Sequence, residues 1–372
     1  MTWKAESDDQ GFPSHLVRWR GVSRTLLVAI GGLLLVPACF AQVTKIPAET
    51  HPSHTSSVSL PSLVAADSPL AHQDLNFDSS FAAQALQYEA APSPALLDQM
   101  AASPAIAHIQ KHAINFDYDV PKTSTHELAV YLLKPANNQA ERIATCKQSL
   151  DYFTGPMLAD PNWVADTLRY LPADFRFHGT LFLTFGYDIG VAINSTASLN
   201  CTRPHFQNHP RELLYYAIHE LHHTGFMQYQ PPPRFADLKT CADLLRLLEY
   251  STQLEGMAVW AAYDRRKREH ALADDPDYVA LTDEARMRQD ELLYFKNYEY
   301  LEKRGQEKAD DAAWAVIHRM SSGERLWYRV GARMAQRIEE KYGKSALVNL
   351  IKSGPAEFLR TYQSIQPHHG SW

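Results

Sequence analysis

The sequence predicts an α+β fold, predominantly helical, with a small β-sheet preceding one particular helix. Three observations carry this. Helical periodicity recurs along most of the chain from Phe81 onward. Two β-branched or aromatic runs, 177–185 and 191–199, form the main strand signal. Directly after them, residues 211–226 hold His219-Glu220-Leu221-His222-His223, an H-E-x-x-H pentad.

The first 41 residues read as export machinery. Arg18, Arg20 and Arg24 precede an apolar run, 25–36, that is too short to span a membrane unaided. Small residues at Cys39 and Ala41 suit cleavage after Ala41, which implies a periplasmic or secreted protein. The run Val36-Pro37-Ala38-Cys39 offers the alternative of a lipoprotein anchor, and membrane attachment is expected only through this segment. Residues 42–75, rich in Ser, Ala, Pro, Thr and His without periodicity, read as a flexible linker. Residues 76–372 are long enough for one large domain: a helical part 76–170, a core 171–270 and a helical part 271–372.

Within that domain, helices are expected at 95–112 (broken at Pro104), 125–133 and 138–153. The two strand runs are separated by Gly186-Tyr187-Asp188-Ile189-Gly190, which suggests a hairpin or tight pair. The 211–226 helix starts at Pro210, with Asn208 or His209 as cap, and Leu214, Ala217, Ile218 and Leu221 form its apolar stripe. Gly225 and Pro231-Pro232-Pro233 supply its stop. Further helices are expected at 243–265, 283–304, 310–320, 322–342 and 345–352. The cluster Arg265-Arg266-Lys267-Arg268 closes the first of these, where cations complement the helix dipole.

Side chains four apart share a helix face, so His219 and His223 can offer two imidazoles to one metal ion. Glu220 lies beside that pair, where a general base belongs. With 17 histidines in 372 residues, a chance match arises in roughly one such chain in twenty, so context decides. The amphipathic helix supplies that context. Only the His219/His223 pairing leaves Glu220 as base, and His222 reads as a neighbour.

Catalytic zinc takes three protein ligands and a water. A third histidine in the spacing H-E-x-x-H-x-x-G-x-x-H fails, because Phe226 and Tyr229 occupy the required positions. The 243–265 helix carries the apolar face Leu244, Leu248, Ser251, Glu255, Ala258, Ala262. A carboxylate in that stripe needs a cation, which favours Glu255 over Glu249 and Asp243 as third ligand; a salt bridge to an arginine is the other explanation. Gly256 and Ala258 are expected to let this helix pack closely on the H-E-x-x-H helix.

Glu255-Gly256-x-Ala258 after H-E-x-x-H resembles the third-ligand helix of the gluzincin zinc peptidases, the clan of thermolysin and aminopeptidase N. In layout the chain is similar to secreted bacterial domains described as zinc-dependent peptidases. The resemblance runs from about Phe177 to the C-terminus. It implies a zincin-like catalytic domain with one Zn2+ on His219, His223 and Glu255, Glu220 as general base, and a peptide or protein substrate. Tyr328-Arg329-Val330-Gly331-Ala332 is similar to the Tyr-x-x-Gly-Ala segment of aminopeptidase N-like enzymes, which implies that Tyr328 donates to the oxyanion. It also implies that an edge strand, here 196–200, pairs with an extended peptide. The Gly-x-Met-Glu-Asn segment is absent, and with it the glutamate that recognises a free N-terminus.

Two other readings compete. One is a non-catalytic zinc- or peptide-binding relative, which would have no use for Glu220. The other is a di-iron carboxylate protein, which needs Glu-x-x-His twice, whereas only His223 has a glutamate three residues before it. With a net charge of −6 and dispersed basic residues, no nucleic-acid surface is expected. Of the four cysteines, Cys39 falls in the export segment, and Cys201–Cys241 is the expected disulfide.

Overall fold

The computed structural model describes residues 57–365. The export signal, Cys39 and the linker up to residue 56 lie outside that range. The chain opens with strands β1 (Ser57–Ser59) and β2 (Asp74–Asp78), then helices α1 (Ser80–Ala90), α2 (Pro94–Ala101), α3 (Pro104–Asn115), α4 (Thr125–Leu132), α5 (Gln139–Tyr152) and α6 (Trp163–Leu168). Strands β3 (His178–Thr184), β4 (Gly190–Ile193) and β5 (Thr196–Asn200) lead into helices α7 (Glu212–Met227) and α8 (Cys241–Arg268). Six helices follow: α9 (Pro276–Thr282), α10 (Glu284–Arg304), α11 (Asp311–His318), α12 (Leu326–Tyr342), α13 (Lys344–Ser353) and α14 (Pro355–Ile365). The fold is α+β and predominantly helical, as the periodicity predicts.

Local chemistry sets many boundaries. Ser93, Ser103 and Ser124 each accept a backbone N–H from the first turn of α2, α3 and α4. Proline at the first helical position starts both α2 and α3, which is why the helical stretch breaks at Pro104. The longest helix, α8, opens on a reciprocal capping box between Thr240 and Asp243. The cap expected for α7 is not made: Asn208 and His209 supply no side-chain bond, and the His209 carbonyl instead accepts the Glu212 N–H. Gly225 does not stop α7 either; it lies inside the helix, packed against Leu171.

The mixed sheet has the order β1-β2-β3-β5-β4, with β2, β3 and β5 parallel and the outer strands antiparallel. Two sequence expectations are corrected here. The run 191–199 is not one strand. It folds back at Asn194-Ser195, with Asn194 at φ 52°, so that Ile193 faces Thr196 across a two-residue turn. Asparagine tolerates that left-handed backbone well. Consequently 196–200 lies inside the sheet between β3 and β4, and the edge on that side is β4.

Residues 57–75, read as linker, are ordered against the domain. Leu60 and Leu70 are buried, and Gln73 Oε1 accepts the Phe177 N–H at 2.9 Å. Isolated leucines in a Ser- and Pro-rich stretch act as anchors without any periodicity. The disulfide also differs: Cys146 of α5 bonds Cys201, while Cys241 is free and buried. The start of α8 docks on the segment after α10, where the Cys241 N–H donates to the Glu307 carbonyl.

The basic cluster ending α8 does more than complement a dipole. Arg266 is 1% exposed, donates two hydrogen bonds to Glu212 at 2.7 and 2.6 Å, and stacks between the Tyr215 and Tyr278 rings. A buried guanidinium requires that pairing. Arg265 pairs with Asp166 and Glu269.

Two histidines of α3 are buried behind the sheet edge. His108 meets Thr196 and Ser198, and His112 meets the Tyr187 hydroxyl. Burial holds their pKa values down, to about 4 for His108 and about 3 for His112. Both stay neutral in the folded chain while the unfolded chain protonates them below about 6.5. Stability is therefore expected to fall as pH drops through 6.5 toward 4, by about 2 kcal/mol per histidine between pH 6.5 and 5. Urea midpoints at pH 7 and 5 measure this, and His112→Gln should flatten the dependence; an unchanged slope would show that His112 does not contribute.

Candidate metal centre

Helix pitch places His219 and His223 one turn apart on α7, with ring centroids 4.5 Å apart. From the middle of α8, Glu255 Oε2 approaches His219 Nε2 to 3.0 Å and His223 Nε2 to 3.1 Å. The three side chains come from two packed helices and no loop, which favours rigid placement. Glu249 and Asp243 are engaged elsewhere: Glu249 accepts the Tyr298 hydroxyl, and Asp243 caps α8.

These residues fit a zinc ion. Bond lengths of about 2.0–2.1 Å in a tetrahedron put ligand atoms about 3.4 Å apart, close to the spacing here. The donor set of two imidazoles and a carboxylate leaves a fourth position for water. The pairing also leaves its electrostatic mark. Burial opposes ionisation of Glu255, yet His223 and His219 hold its carboxyl well below the usual carboxylate range. Burial likewise pushes both imidazoles toward neutrality. It prevails at His219, whereas at His223 the Glu255 charge outweighs it and the pKa rises.

A second acidic-histidine group, His205, Glu212 and Asp275, sits nearby. Its cation is Arg266, which donates to Glu212 and lies 3.7 Å from Asp275. No metal is needed there.

His222 points away from the centre: it is fully buried, and its Nε2 meets the Tyr170 carbonyl at 3.2 Å. Glu220 is 5% exposed, and its carboxylate makes no hydrogen bond to another side chain or to the backbone among the described residues. Burial pushes its carboxyl up to about 8. It lies against Gly190, the first residue of the edge strand, where an added Cβ would come within 2.5 Å of Glu220 Oε1. Only glycine leaves room for the carboxylate at that point.

The small residues beside Glu255 act on a different partner from the one expected. Gly256 faces Gly331 of α12, not α7, and each glycine's missing side chain admits the other's backbone. That crossing brings α12 over the centre. The Tyr328 ring stacks on His219 with centroids 6.4 Å apart and 19° between planes. Burial, with Glu255 nearby, pushes the Tyr328 phenol up and keeps it protonated. Arg325, in a left-handed backbone at φ 54°, lies 3.8 Å over the Tyr328 ring and is anchored by Asp277. Sequence reading missed Arg325, since nothing in its neighbours marks a left-handed residue. It also missed Gly190, which it treated as a turn residue; the paired glycines around Tyr187-Asp188-Ile189 were the available signal.

A family model described as "Putative zinc dependent peptidase (DUF5700)" matches residues 109–369, well over half of the chain. The chain belongs to this family. The match contains His219, Glu220, His223, Glu255 and Tyr328, and begins within α3, after β1, β2, α1 and α2. No curated protein and no solved structure matches the chain. Zinc-peptidase family membership agrees with the donor set that the two helices bring together.

Proposed function

We propose that this protein is an exported zinc metallopeptidase of gluzincin type, holding one zinc ion on His219, His223 and Glu255. The observation that carries the reading is the convergence of Glu255 Oε2 on both Nε2 atoms, within 3.1 Å, across two helices. Zinc bound there supplies Lewis acidity and brings the pKa of water toward neutrality. Glu220 takes the proton from the attacking water and returns it to the leaving amine. The Tyr328 hydroxyl donates to the oxyanion as charge develops on the carbonyl oxygen. The extended substrate pairs with β4, the edge strand that abuts Glu220.

Purified protein loaded with zinc should hydrolyse members of a quenched fluorescent peptide library. Glu220→Gln should lower kcat by about 10²–10⁴-fold with zinc content unchanged. Full activity in that variant would refute the mechanism, and tight zinc binding with no turnover on any peptide would favour a non-catalytic relative.

A further inference from the structure

Arg325 breaks two rules of the helix it opens. At φ 54° it lies in left-handed backbone, which glycine and asparagine accept and long side chains resist. It also holds the cap position of α12 without any side-chain bond to the first turn. Serine, threonine, asparagine or aspartate would supply that bond. Such strain persists only where the surrounding structure enforces it, and it clusters at functional sites.

The enforcement comes from Asp277 of α9. Its Oδ2 accepts Arg325 Nε at 2.8 Å and lies 2.7 Å from a terminal guanidinium nitrogen, which fixes the plane of the group. Asp277 has a second cation, since its Oδ1 accepts Arg329 Nε at 2.8 Å. Arg325 itself is 38% exposed and fills no place in the core. What the pairing fixes is the position of the guanidinium, 3.8 Å over the Tyr328 ring one helical turn on. A planar guanidinium against an aromatic face is a favourable stack. The other rings around Tyr328, those of His219 and Trp327, have centroids 6.4 and 6.3 Å away. Arg325 is the nearest of the three.

Resting on the peptidase reading and on the part it gives Tyr328, we propose that Arg325 is a positioning residue. Clamped by Asp277, its guanidinium holds the Tyr328 ring at the angle that directs the hydroxyl to the carbonyl oxygen under attack. A tyrosine on a helix keeps two side-chain torsions, so a packed ring face is needed to fix the hydroxyl. An oxyanion donor works only when it is aimed before charge develops, and a misaimed donor loses most of its effect. Arg325 acts through Tyr328 and does not itself touch the reacting atoms.

The test uses zinc-loaded full-length protein carrying Arg325→Asn, Tyr328→Phe or both. Asparagine suits the left-handed backbone, and Arg329 still neutralises Asp277, so fold and zinc content should match wild type. Two peptide inhibitors serve as probes: a phosphinic pseudopeptide, whose tetrahedral oxygens imitate the oxyanion, and a matched thiol peptide that engages zinc through sulfur. Arg325→Asn should weaken the phosphinic probe about 10-fold and leave the thiol probe within about twofold. Arg325→Lys, which keeps the charge and loses the planar stack, should show the same selective loss. Tyr328→Phe should weaken the phosphinic probe at least as much, and adding Arg325→Asn to it should change nothing further. Equal losses on both probes, additive losses in the double variant, or an unchanged phosphinic affinity would each overturn the proposal. The two readings fail separately. A selective, Tyr328-dependent loss in a protein that hydrolyses nothing removes the peptidase reading and leaves the positioning role. Hydrolysis dependent on Glu220, with phosphinic binding indifferent to Arg325, removes only the positioning role. A wild-type protein that does not bind the phosphinic probe removes both.

Discussion

Exchanging Glu255 for glutamine is expected to weaken zinc binding more than about 100-fold, a loss of roughly 2.7 kcal/mol or more, and to abolish peptide hydrolysis. The substitution preserves shape and removes only charge. Glu255 is the one anion between two imidazoles, and its Oε2 faces both Nε2 atoms at 3.0 and 3.1 Å. An amide oxygen is a far poorer partner for a divalent cation, and its NH2 group cannot approach the metal at all. Competition against a chromophoric chelator measures the affinity, and metal analysis after dialysis measures occupancy. Zinc affinity within about threefold of wild type would mean that another carboxylate completes the site. Among the described residues, no other carboxylate groups with His219 and His223 within ligand distance.

Gly331→Val is expected to be the most damaging substitution outside the centre. A Cβ at 331 would collide with the Thr252 carbonyl and sit 2.9 Å from Gly256 Cα. Both obstacles are backbone of α8, so no side chain can swing aside and the two helices must separate. Overpacking commonly costs about 1–3 kcal/mol, and a backbone-on-backbone clash belongs at the upper end or beyond. The consequence also reaches the chemistry, because α8 carries Glu255 and α12 carries Tyr328. Urea midpoint and zinc stoichiometry should fall together. Gly155→Ala is the control: that glycine is exposed with nothing within 4 Å of an added Cβ, and its midpoint should stay near wild type. A stable, zinc-replete Gly331→Val protein would show that the crossing tolerates expansion.

Much of the centre was legible in the sequence because it depends on helix pitch. His219 and His223 share a face whatever surrounds them, and Glu220 follows His219 on any α-helix. Glu255 was legible for an energetic reason: a carboxylate inside an apolar stripe requires a partner cation. Tyr328 came by resemblance, and its stacking on His219 places it beside the centre. The errors share another cause. The split of 191–199 turned on one asparagine adopting φ 52°, which alternating hydrophobicity does not reveal. The Cys146–Cys201 bond joins α5 to the end of β5, a pairing that cysteine spacing cannot distinguish from its alternatives.

The sequence by itself determined the pair of imidazoles, the acid beside them, the carboxylate of the next long helix and the helix-rich α+β class. All of these are set by spacing within one helix or by the cost of burying a charge. Only the tertiary structure decided that β4 forms the edge against Glu220, which helix lies against Gly256, and that Tyr328 stacks on His219. Those placements join segments far apart in the chain. Loop-closure entropy changes slowly with loop length, so sequence separation says little about which distant segments will meet.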